Sequence, residues 1–364
     1  MPITAERSLL FSLHVTERCN LACGYCYAPK SRRVMSRETA VDALRFLARV
    51  RNRYDHVTVV LIGGEPLLEL DRLRQIVRLA REIAGVRDFI LPTNATLLDE
   101  SLLRWLARER IAPHYGLHGI FDHIDGASPA TARRRWRAVE RSLELAARCC
   151  DRFYDDAPNP LCLRLTFTAE TAGRLGAAVR YLADRFGKKA FIVAMPAMPF
   201  PEDCRRPARS GTLKALLKRE LLAIAGLHRE RAALGAPFTL IINECFDLDC
   251  WSGFGRARGF EEAPSCGAGR RMISASLDGR LFPCYLAAAD PDANERFRLG
   301  SASGGITRPQ AVSDFRGGGG NEAFSCLYWN RLETGSPAVP ARAYRALYEG
   351  WRAAVASLRA PHRP

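Results

Sequence analysis

The sequence of 364 residues lacks any run of about 18 consecutive apolar residues, so no segment is predicted to cross a membrane. Residues 1–19 also lack the unbroken apolar core and the small-residue cleavage site of a secretory signal, so we expect a cytoplasmic protein. Lysine is scarce, with only five among 54 basic residues, while 39 acidic residues leave a net charge of +15. A basic surface suits acidic partners, but the absence of zinc-finger spacing and of an RNA-recognition signature argues against nucleic acid.

Strand and helix patterns alternate along the first 200 residues. Apolar and β-branched runs mark the strands, and amphipathic segments mark the helices between them. This alternation predicts an α/β fold with a parallel sheet and right-handed crossovers, here a partial (β/α)6 TIM-type barrel with its chemistry at the carboxyl ends of the strands. The strands are predicted at 8–16, 56–62, 89–92, 112–117, 161–168 and 190–194, and the helices at 37–51, 71–84, 99–110, 130–148 and 172–186.

The composition changes after residue 200. A proline-rich stretch around 196–207 ends the alternation, and a helix and a strand follow it. From about residue 247 the chain is rich in glycine and cysteine, with short predicted strands and a final helix near 341–358. We therefore expect a barrel domain at 1–200, a bridging segment at 201–246, and a smaller domain at 247–364.

Cysteine is abundant, with twelve residues in a chain for which no export signal is predicted, so ligands or reactive thiols are favoured over disulfides. Cys19, Cys23 and Cys26 form a C-x3-C-x2-C sequence directly after the first predicted strand. Three thiolates on one tight loop can hold a [4Fe–4S] cluster and leave one iron open to another ligand. A structural zinc site would need a second pair of Cys or His ligands, and no such pair lies nearby.

The cysteine loop and the Gly63-Gly64-Glu65-Pro66 sequence after the second strand together resemble the radical SAM superfamily. The resemblance implies that the open iron chelates S-adenosylmethionine (SAM) and that an electron from the cluster cleaves its sulfonium. The resulting 5′-deoxyadenosyl radical then removes a hydrogen atom from the substrate, while the protein binds, orients and shields the reactants. An external electron donor, such as a flavodoxin or a ferredoxin, is implied as a partner.

The same resemblance assigns SAM-binding roles to individual residues. Gly63 and Gly64 would let the backbone approach the methionine amino group. Glu65 would accept hydrogen bonds or balance charge there, Pro66 would make the turn rigid, and Tyr25 would pack near the adenine. Residues expected near the ribose and the carboxylate are Thr93, Asn94, Arg164, Thr166 and Thr168.

A second cysteine set lies in the last third of the chain. A β-hairpin is predicted there, with Asp278-Gly279 as its turn and Pro283-Cys284 at its end. This sequence resembles the SPASM/twitch extensions of radical SAM peptide maturases and implies one auxiliary [4Fe–4S] cluster, since only one cysteine follows Cys284. The implied ligands are Cys266, Cys284 and Cys326, with Cys250 or Cys245 as the fourth or with a position open to substrate.

Two residues are candidates for catalysis. Sulfatase maturases of this group carry Asp directly after the Pro-Cys of the hairpin, where this chain has Tyr285, so sulfatase maturation is not favoured. Tyr285 is instead a candidate relay for a proton or an electron. His118 is the second candidate, because Leu117-His118-Gly119 resembles a sequence found at the fourth strand of some members.

The resemblance implies hydrogen abstraction from a ribosomally made peptide, and the basic surface of this chain would suit an acidic leader on that peptide. The products could be a crosslink, a thioether, an epimer or an oxidised side chain. Two alternatives stay open from the sequence. One is a radical SAM dehydrogenase that acts on a small molecule, and the other is a metal-binding protein without catalytic activity.

Overall fold

The structure is a computed structural model, and it describes residues 8–117, 119–121, 130–153, 161–197, 207–235, 239–242, 246–247, 268–269, 271–312 and 350. The strands are β1 Ser8–Thr16, β2 His56–Gly63, β3 Asp88–Thr93, β4 Ile111–Gly116, β5 Leu161–Phe167, β6 Ala190–Pro196, β7 Thr239–Ile242, β8 Phe246–Asp247, β9 Met272–Ala275, β10 Arg280–Phe282, β11 Gly300–Ser301 and β12 Gly305–Ile306. The α-helices are α1 Arg37–Val50, α2 Leu70–Ala84, α3 Glu100–Arg108, α4 Ala130–Phe153, α5 Leu175–Phe186, α6 Pro207–Ala233 and α7 Tyr285–Ala289. Short 3-10 helices cover Arg51–Arg53, Pro66–Glu69, Ala172–Arg174, Gly187–Lys189 and Glu295–Phe297.

The described strands form one open sheet in the order β12-β11-β10-β9-β1-β2-β3-β4-β5-β6-β7-β8. Strands β1 to β7 are parallel neighbours in sequence order, as the alternation of strands and helices predicts. All six strands predicted before residue 200 are present, and their ends lie within two residues of the predicted ones. The α/β class with a mostly parallel sheet is therefore confirmed.

The second part of the chain continues this sheet on the other side of β1. Strand β9 runs parallel to β1, with Leu10 opposite Met272 and Leu13 opposite Ala275. Strands β10 to β12 then follow in antiparallel pairs. The predicted hairpin is present, because Gly279 adopts a φ of 82° in its turn and donates its N–H to the Ser276 carbonyl at 3.0 Å. The rest of the predicted domain at 247–364 lies mostly outside the described residues, so its boundaries stay predictions.

Local capping explains where the helices begin and end. Ser36 caps α1, since its hydroxyl accepts the Thr39 N–H at 3.0 Å, and Asp99 caps α3 by accepting the Leu102 N–H at 2.8 Å. Gly85 ends α2 in the left-handed conformation, with a φ of 58°. Within the described ranges, no helix combines the length and the hydropathy that a membrane crossing requires.

The two faces of the sheet differ in chemistry. Alternate residues of β1, from Leu9 to Val15, are buried in the core beneath the helices, where the Phe11 ring lies 6.0 Å from the Phe46 ring of α1. Ser12 and His14, which lie between them, face the other way and are also buried. We call this opposite face of the sheet the inner face. Its polar residues on β1, Ser12 and His14, lie towards the carboxyl end of the strand.

Candidate active site

The cysteine loop connects β1 to α1 and carries three free, half-buried thiols. The Cys26 N–H donates to the Cys23 carbonyl at 3.1 Å, and this turn draws the second and third cysteines together. Burial raises the pKa of Cys23, and the charges of Cys26 and Cys19 raise it further, while a hydrogen bond with Tyr25 opposes the rise. The three sulfur atoms therefore lie within electrostatic reach of one another.

Nitrogen donors surround the thiols. The Leu21 N–H lies 3.4 Å from Cys19 Sγ, Asn94 Nδ2 lies 4.0 Å from the same sulfur, and Lys30 Nζ lies 3.3 Å from Cys26 Sγ. Burial alone would lower the pKa of Lys30, but the neighbouring Cys26 thiolate raises it. Such donors favour the thiolate form that ligates metals.

This donor set fits an iron–sulfur cluster held by three cysteines. Among the described residues, no three His, Cys, Asp or Glu side chains are grouped in a way that could hold a single metal ion. A cluster makes a different demand, because it takes thiolates as ligands to several iron atoms and its properties depend on hydrogen bonds to their sulfurs. Cys19, Cys23 and Cys26, with their nitrogen donors, are the residues that would hold it.

Gly63 and Gly64 bring the end of β2 directly against the start of the cysteine loop. Gly64 donates its N–H to the Thr16 carbonyl at 2.7 Å, and Glu65 donates to the Arg18 carbonyl at 2.8 Å. A Cβ atom on Gly63 would overlap the Thr16 carbonyl oxygen, and one on Gly64 would overlap that of Arg18. Both glycines therefore allow close backbone contact between the end of β2 and the start of the cysteine loop. Their predicted role at the methionine amino group is separate from this contact.

Glu65 joins the ends of β2 and β3. Its carboxylate is fully buried and accepts the Leu67 N–H at 3.1 Å, the Thr93 hydroxyl at 2.9 Å and the Asn94 N–H at 2.7 Å. Burial raises the pKa of this carboxyl, and the three hydrogen bonds oppose the rise. Since Asn94 also donates to Asn20 Oδ1 at 2.8 Å, the predicted residues of three strand ends form one network.

We expect Glu65→Gln to lower the free energy of unfolding by about 1–3 kcal/mol. The substitution replaces one accepting carboxylate oxygen with an NH2 group, so a buried N–H or O–H donor loses its acceptor. Urea unfolding monitored by circular dichroism measures this loss. Glu69→Gln is the matched control, since Glu69 pairs with the exposed Arg18 and its loss should cost less than about 1 kcal/mol. Equal losses in the two variants would show that Glu65 does not hold the strand ends together.

Arg164 lies on the inner face of β5, half-buried between β4 and β6. Its Nη1 is 3.5 Å from His114 Nδ1, and its Nη2 contacts Met195 Sδ at 2.7 Å. Burial and the charge of Arg164 lower the pKa of His114 to about 3, so this imidazole is neutral. Thr166 is half-buried two residues further along the strand, and Thr168 forms a turn in which its N–H donates to Thr171 Oγ1 at 2.8 Å.

His114 was missed by the sequence analysis. The signal was present, because His114 is the half-buried polar residue among the alternating buried residues Ile111, Pro113 and Tyr115 of β4. Its proximity to Arg164 depends on the pairing of β4 with β5, where Gly116 lies opposite Arg164, and that pairing is not visible in the sequence.

His14 ties the inner face of β1 to the segment after the hairpin. It is 5% exposed, and its Nε2 lies 3.0 Å from the carbonyl oxygen of Tyr285. Burial lowers the pKa of His14 to about 4, and this hydrogen bond only partly offsets the effect. The contact fixes the first residue of α7, so Tyr285 and the buried Cys284 before it are held beside β1.

Two tyrosines meet close to these residues. The rings of Tyr27 and Tyr285 lie 6.0 Å apart, and each residue directly follows a predicted metal ligand, Cys26 or Cys284. Burial raises the pKa of Tyr27, and the charges of both cysteines raise it further. Both thiols therefore lie within electrostatic reach of the Tyr27 hydroxyl. The sequence analysis did not identify Tyr27 as a residue that lies close to both cysteines.

The stability of the metal-free chain should depend on His14 in mild acid. The unfolded chain takes up a proton near pH 6.5, whereas His14 in the folded chain does so near pH 4, so stability falls as the pH drops through this interval. The expected loss is about 3 kcal/mol from this residue. Urea unfolding at several pH values should show a shallower decline for His14→Gln, and parallel curves for the two proteins would contradict the assignment.

Four predicted site residues lie outside the described residues: His118, Cys250, Cys266 and Cys326. Cys245, the alternative fourth ligand, also lies outside them. Their assignments stay predictions.

Comparison with known proteins identifies the region that carries this geometry. Residues 13–164 match the sequence model of the Radical SAM superfamily. A GTP 3′,8-cyclase of Xanthomonas axonopodis pv. citri (strain 306) is 37% identical over 132 residues, which is 34% of this chain and 36% of that protein. The chain spans about a third of the length of the first curated relatives that it matches.

Two solved structures share the fold over most of the chain. The structure of anSMEcpe with bound AdoMet is 18% identical, with a TM-score of 0.66 over 96% of this chain and 98% of that one. Streptococcus suis SuiB bound to precursor peptide SuiA is 17% identical, with a TM-score of 0.54 over 92% and 75%. At these identities the likeness is one of fold. The segment that matches the Radical SAM superfamily model, residues 13–164, holds the cysteine loop, the Gly-Gly-Glu-Pro turn and Thr93-Asn94.

Proposed function

We propose that this chain is a radical SAM enzyme that abstracts hydrogen from a ribosomally synthesised peptide. The observation that carries the proposal is the junction of three strand ends around the cysteine loop. Glu65 and Asn94 link the ends of β2 and β3 to Cys19 and Asn20. The ligands of a cluster and the predicted binding residues for SAM therefore share one rigid frame.

When bound to Cys19, Cys23 and Cys26, a [4Fe–4S] cluster supplies the electron that cleaves SAM to methionine and a 5′-deoxyadenosyl radical. The residues of the chain bind and orient SAM. The Gly63-Gly64-Glu65-Pro66 turn fixes the backbone beside the cysteine loop, and Tyr25 packs near the adenine. The ribose and the carboxylate are proposed to contact Thr93, Asn94, Arg164, Thr166 and Thr168.

The inner face suits a charged and reactive ligand. Arg164 offers a guanidinium group that can bind a carboxylate, and its neighbours His114 and Met195 help to fix the orientation of that group. The neutral His114 adds no second positive charge at this position. Since Arg164 and Thr166 are half-buried, bulk water is partly excluded from the inner face.

We propose one auxiliary cluster close to this site, with Cys284 as a ligand and Cys266, Cys326 and Cys250 as the others. The burial of Cys284 and its position at the start of α7, beside the Tyr27 hydroxyl, support this assignment. Tyr285 then stands between the two sites as the proposed relay, with His118 as the second catalytic candidate.

The peptide substrate is supported by the shared fold. SuiB is bound to its precursor peptide in one solved structure, and anSMEcpe is bound to peptides in others. The net charge of +15 suits a peptide with an acidic leader. A flavodoxin or ferredoxin is the proposed source of the electron.

A nucleotide is the second candidate substrate. It is favoured by the similarity of this chain to GTP 3′,8-cyclases, which extends to 40% identity over 125 residues in the protein from Synechococcus sp. (strain CC9902). The similarity covers 34% of this chain and 33% of that protein.

Deuterium transfer distinguishes the two substrates. The anaerobically reconstituted protein would be incubated with SAM, a reductant, and either a deuterated peptide with an acidic leader or deuterated GTP. We expect deuterium in 5′-deoxyadenosine from the peptide, as measured by mass spectrometry. Deuterium from GTP would favour the nucleotide, and no release of 5′-deoxyadenosine at all would contradict the proposed activity.

A further inference from the structure

Lys30 is placed unlike Arg18 and Arg33, two other cationic residues of the cysteine loop. Its Nζ donates to Cys26 Sγ at 3.3 Å. Arg18 and Arg33 pair with the carboxylates of Glu69 and Glu17. Within the described part of the chain, Lys30 makes no ion pair with a carboxylate, so its charge is directed at a sulfur.

The chemistry at this position favours lysine. Only five of the 54 basic residues are lysines, and one of them stands four residues after the last cysteine of the loop. A lysine carries a compact charge with three rotatable donors, which can bond to a single sulfur atom. The guanidinium of arginine is instead a planar fork suited to carboxylates and phosphates.

A positive charge beside a cluster thiolate has a defined consequence. Reduction adds one negative charge to the cluster, and a nearby cation stabilises the more negative state. Hydrogen bonds to the sulfur atoms and the net charge are also known to set the potentials of iron–sulfur clusters. The other donors to the loop sulfurs are neutral: the Leu21 N–H and the Asn94 amide are directed at Cys19, and Tyr25 forms a hydrogen bond with Cys23.

We infer that Lys30 raises the reduction potential of the cluster held by Cys19, Cys23 and Cys26, and that it acts through Cys26 Sγ. This inference rests on the proposed function, since it requires that cluster. The step concerned is the transfer of one electron from a low-potential donor, such as titanium(III) citrate, to the cluster. No bond is formed or broken in this step.

Potentiometric titration followed by electron paramagnetic resonance tests the inference in the absence of SAM. We expect Lys30→Met to lower the equilibrium constant for one-electron reduction about tenfold, which is about 59 mV. Lys30→Arg keeps the positive charge, so the reduction potential of its cluster should stay close to that of the wild type. Lys30→Gln keeps a hydrogen-bond donor without the charge, so its reduction potential should lie between those of Lys30→Met and Lys30→Arg. Because Lys30 is exposed, the difference between wild type and Lys30→Met should shrink at high ionic strength.

Lys218→Met is the matched control, because it removes the same charge from an exposed position on α6. Its potential should equal that of the wild type. Iron and sulfide analysis of each variant establishes that equal amounts of cluster are compared. If Lys30→Met assembles little cluster, Lys30→Gln and Lys30→Arg still allow the comparison of reduction potentials.

Three results would overturn the inference. The first is an unchanged potential in Lys30→Met at equal cluster content. The second is an unchanged potential without SAM combined with weaker SAM binding, which would make Lys30 a ligand for SAM. The third is a wild-type protein that holds no cluster, which would overturn the proposed function itself and is recognised by the absence of a signal in every variant.

Discussion

Cys26→Ala is expected to reduce the release of 5′-deoxyadenosine from SAM to background, whereas Cys284→Ala should retain some release but form no product. The loop provides three thiols for the proposed cluster, and the loss of one leaves too few ligands to hold it. Cys284 belongs to the other proposed site, so its loss should uncouple cleavage of SAM from modification of the substrate. Chromatography of anaerobic reactions measures both products.

The control for this pair is Cys149→Ala. Cys149 is buried in α4 and belongs to the hydrophobic core, so this variant should retain both release and product formation. Equal abolition of release by Cys26→Ala and Cys284→Ala would show that the division into a SAM-cleaving site and an auxiliary site is wrong.

Gly64→Ala is expected to destabilise the chain by about 3 kcal/mol or more and to prevent cluster assembly. The new Cβ would overlap the Arg18 carbonyl oxygen and would lie 2.7 Å from the carbon of that carbonyl. Both atoms belong to the backbone, which cannot turn aside as a flexible side chain can. The end of β2 and the start of the cysteine loop would have to separate, and the hydrogen bond from Glu65 N–H to the Arg18 carbonyl would be lost.

Gly24→Ala is the matched control within the same loop. A Cβ on Gly24 would have no atom within 4 Å, so this variant should take up iron as the wild type does. Urea unfolding and iron content measure the two effects separately. Normal stability and iron content in Gly64→Ala would contradict the close approach of β2 to the cysteine loop.

The sequence predicted most of the parallel sheet because its signals are local. A run of β-branched residues marks β2, and Ser36, Asp99 and Gly85 lie at helix ends where their side chains or conformations satisfy free backbone groups. The Asp278-Gly279 turn was predicted for the same reason. Signals of this kind depend on residues within a few positions of one another.

Pairings between distant segments could not be predicted in this way. Strand β9 lies beside β1 although more than 250 residues separate them, and no local pattern encodes that neighbour. The contacts of His14 with Tyr285 and of His114 with Arg164 depend on such pairings. The role of Glu65 between β2 and β3 also appears only once both strand ends are in place.

The central claim is that Cys19, Cys23 and Cys26 alone hold a cluster with one iron open to SAM. Mössbauer spectroscopy of an anaerobically prepared variant tests it most directly, with Cys245, Cys250, Cys266, Cys284 and Cys326 all replaced by alanine. We predict one [4Fe–4S] cluster per chain, in which a single iron site changes its spectrum when SAM is added. A variant without a cluster, or with a cluster whose spectrum ignores SAM, would contradict the account.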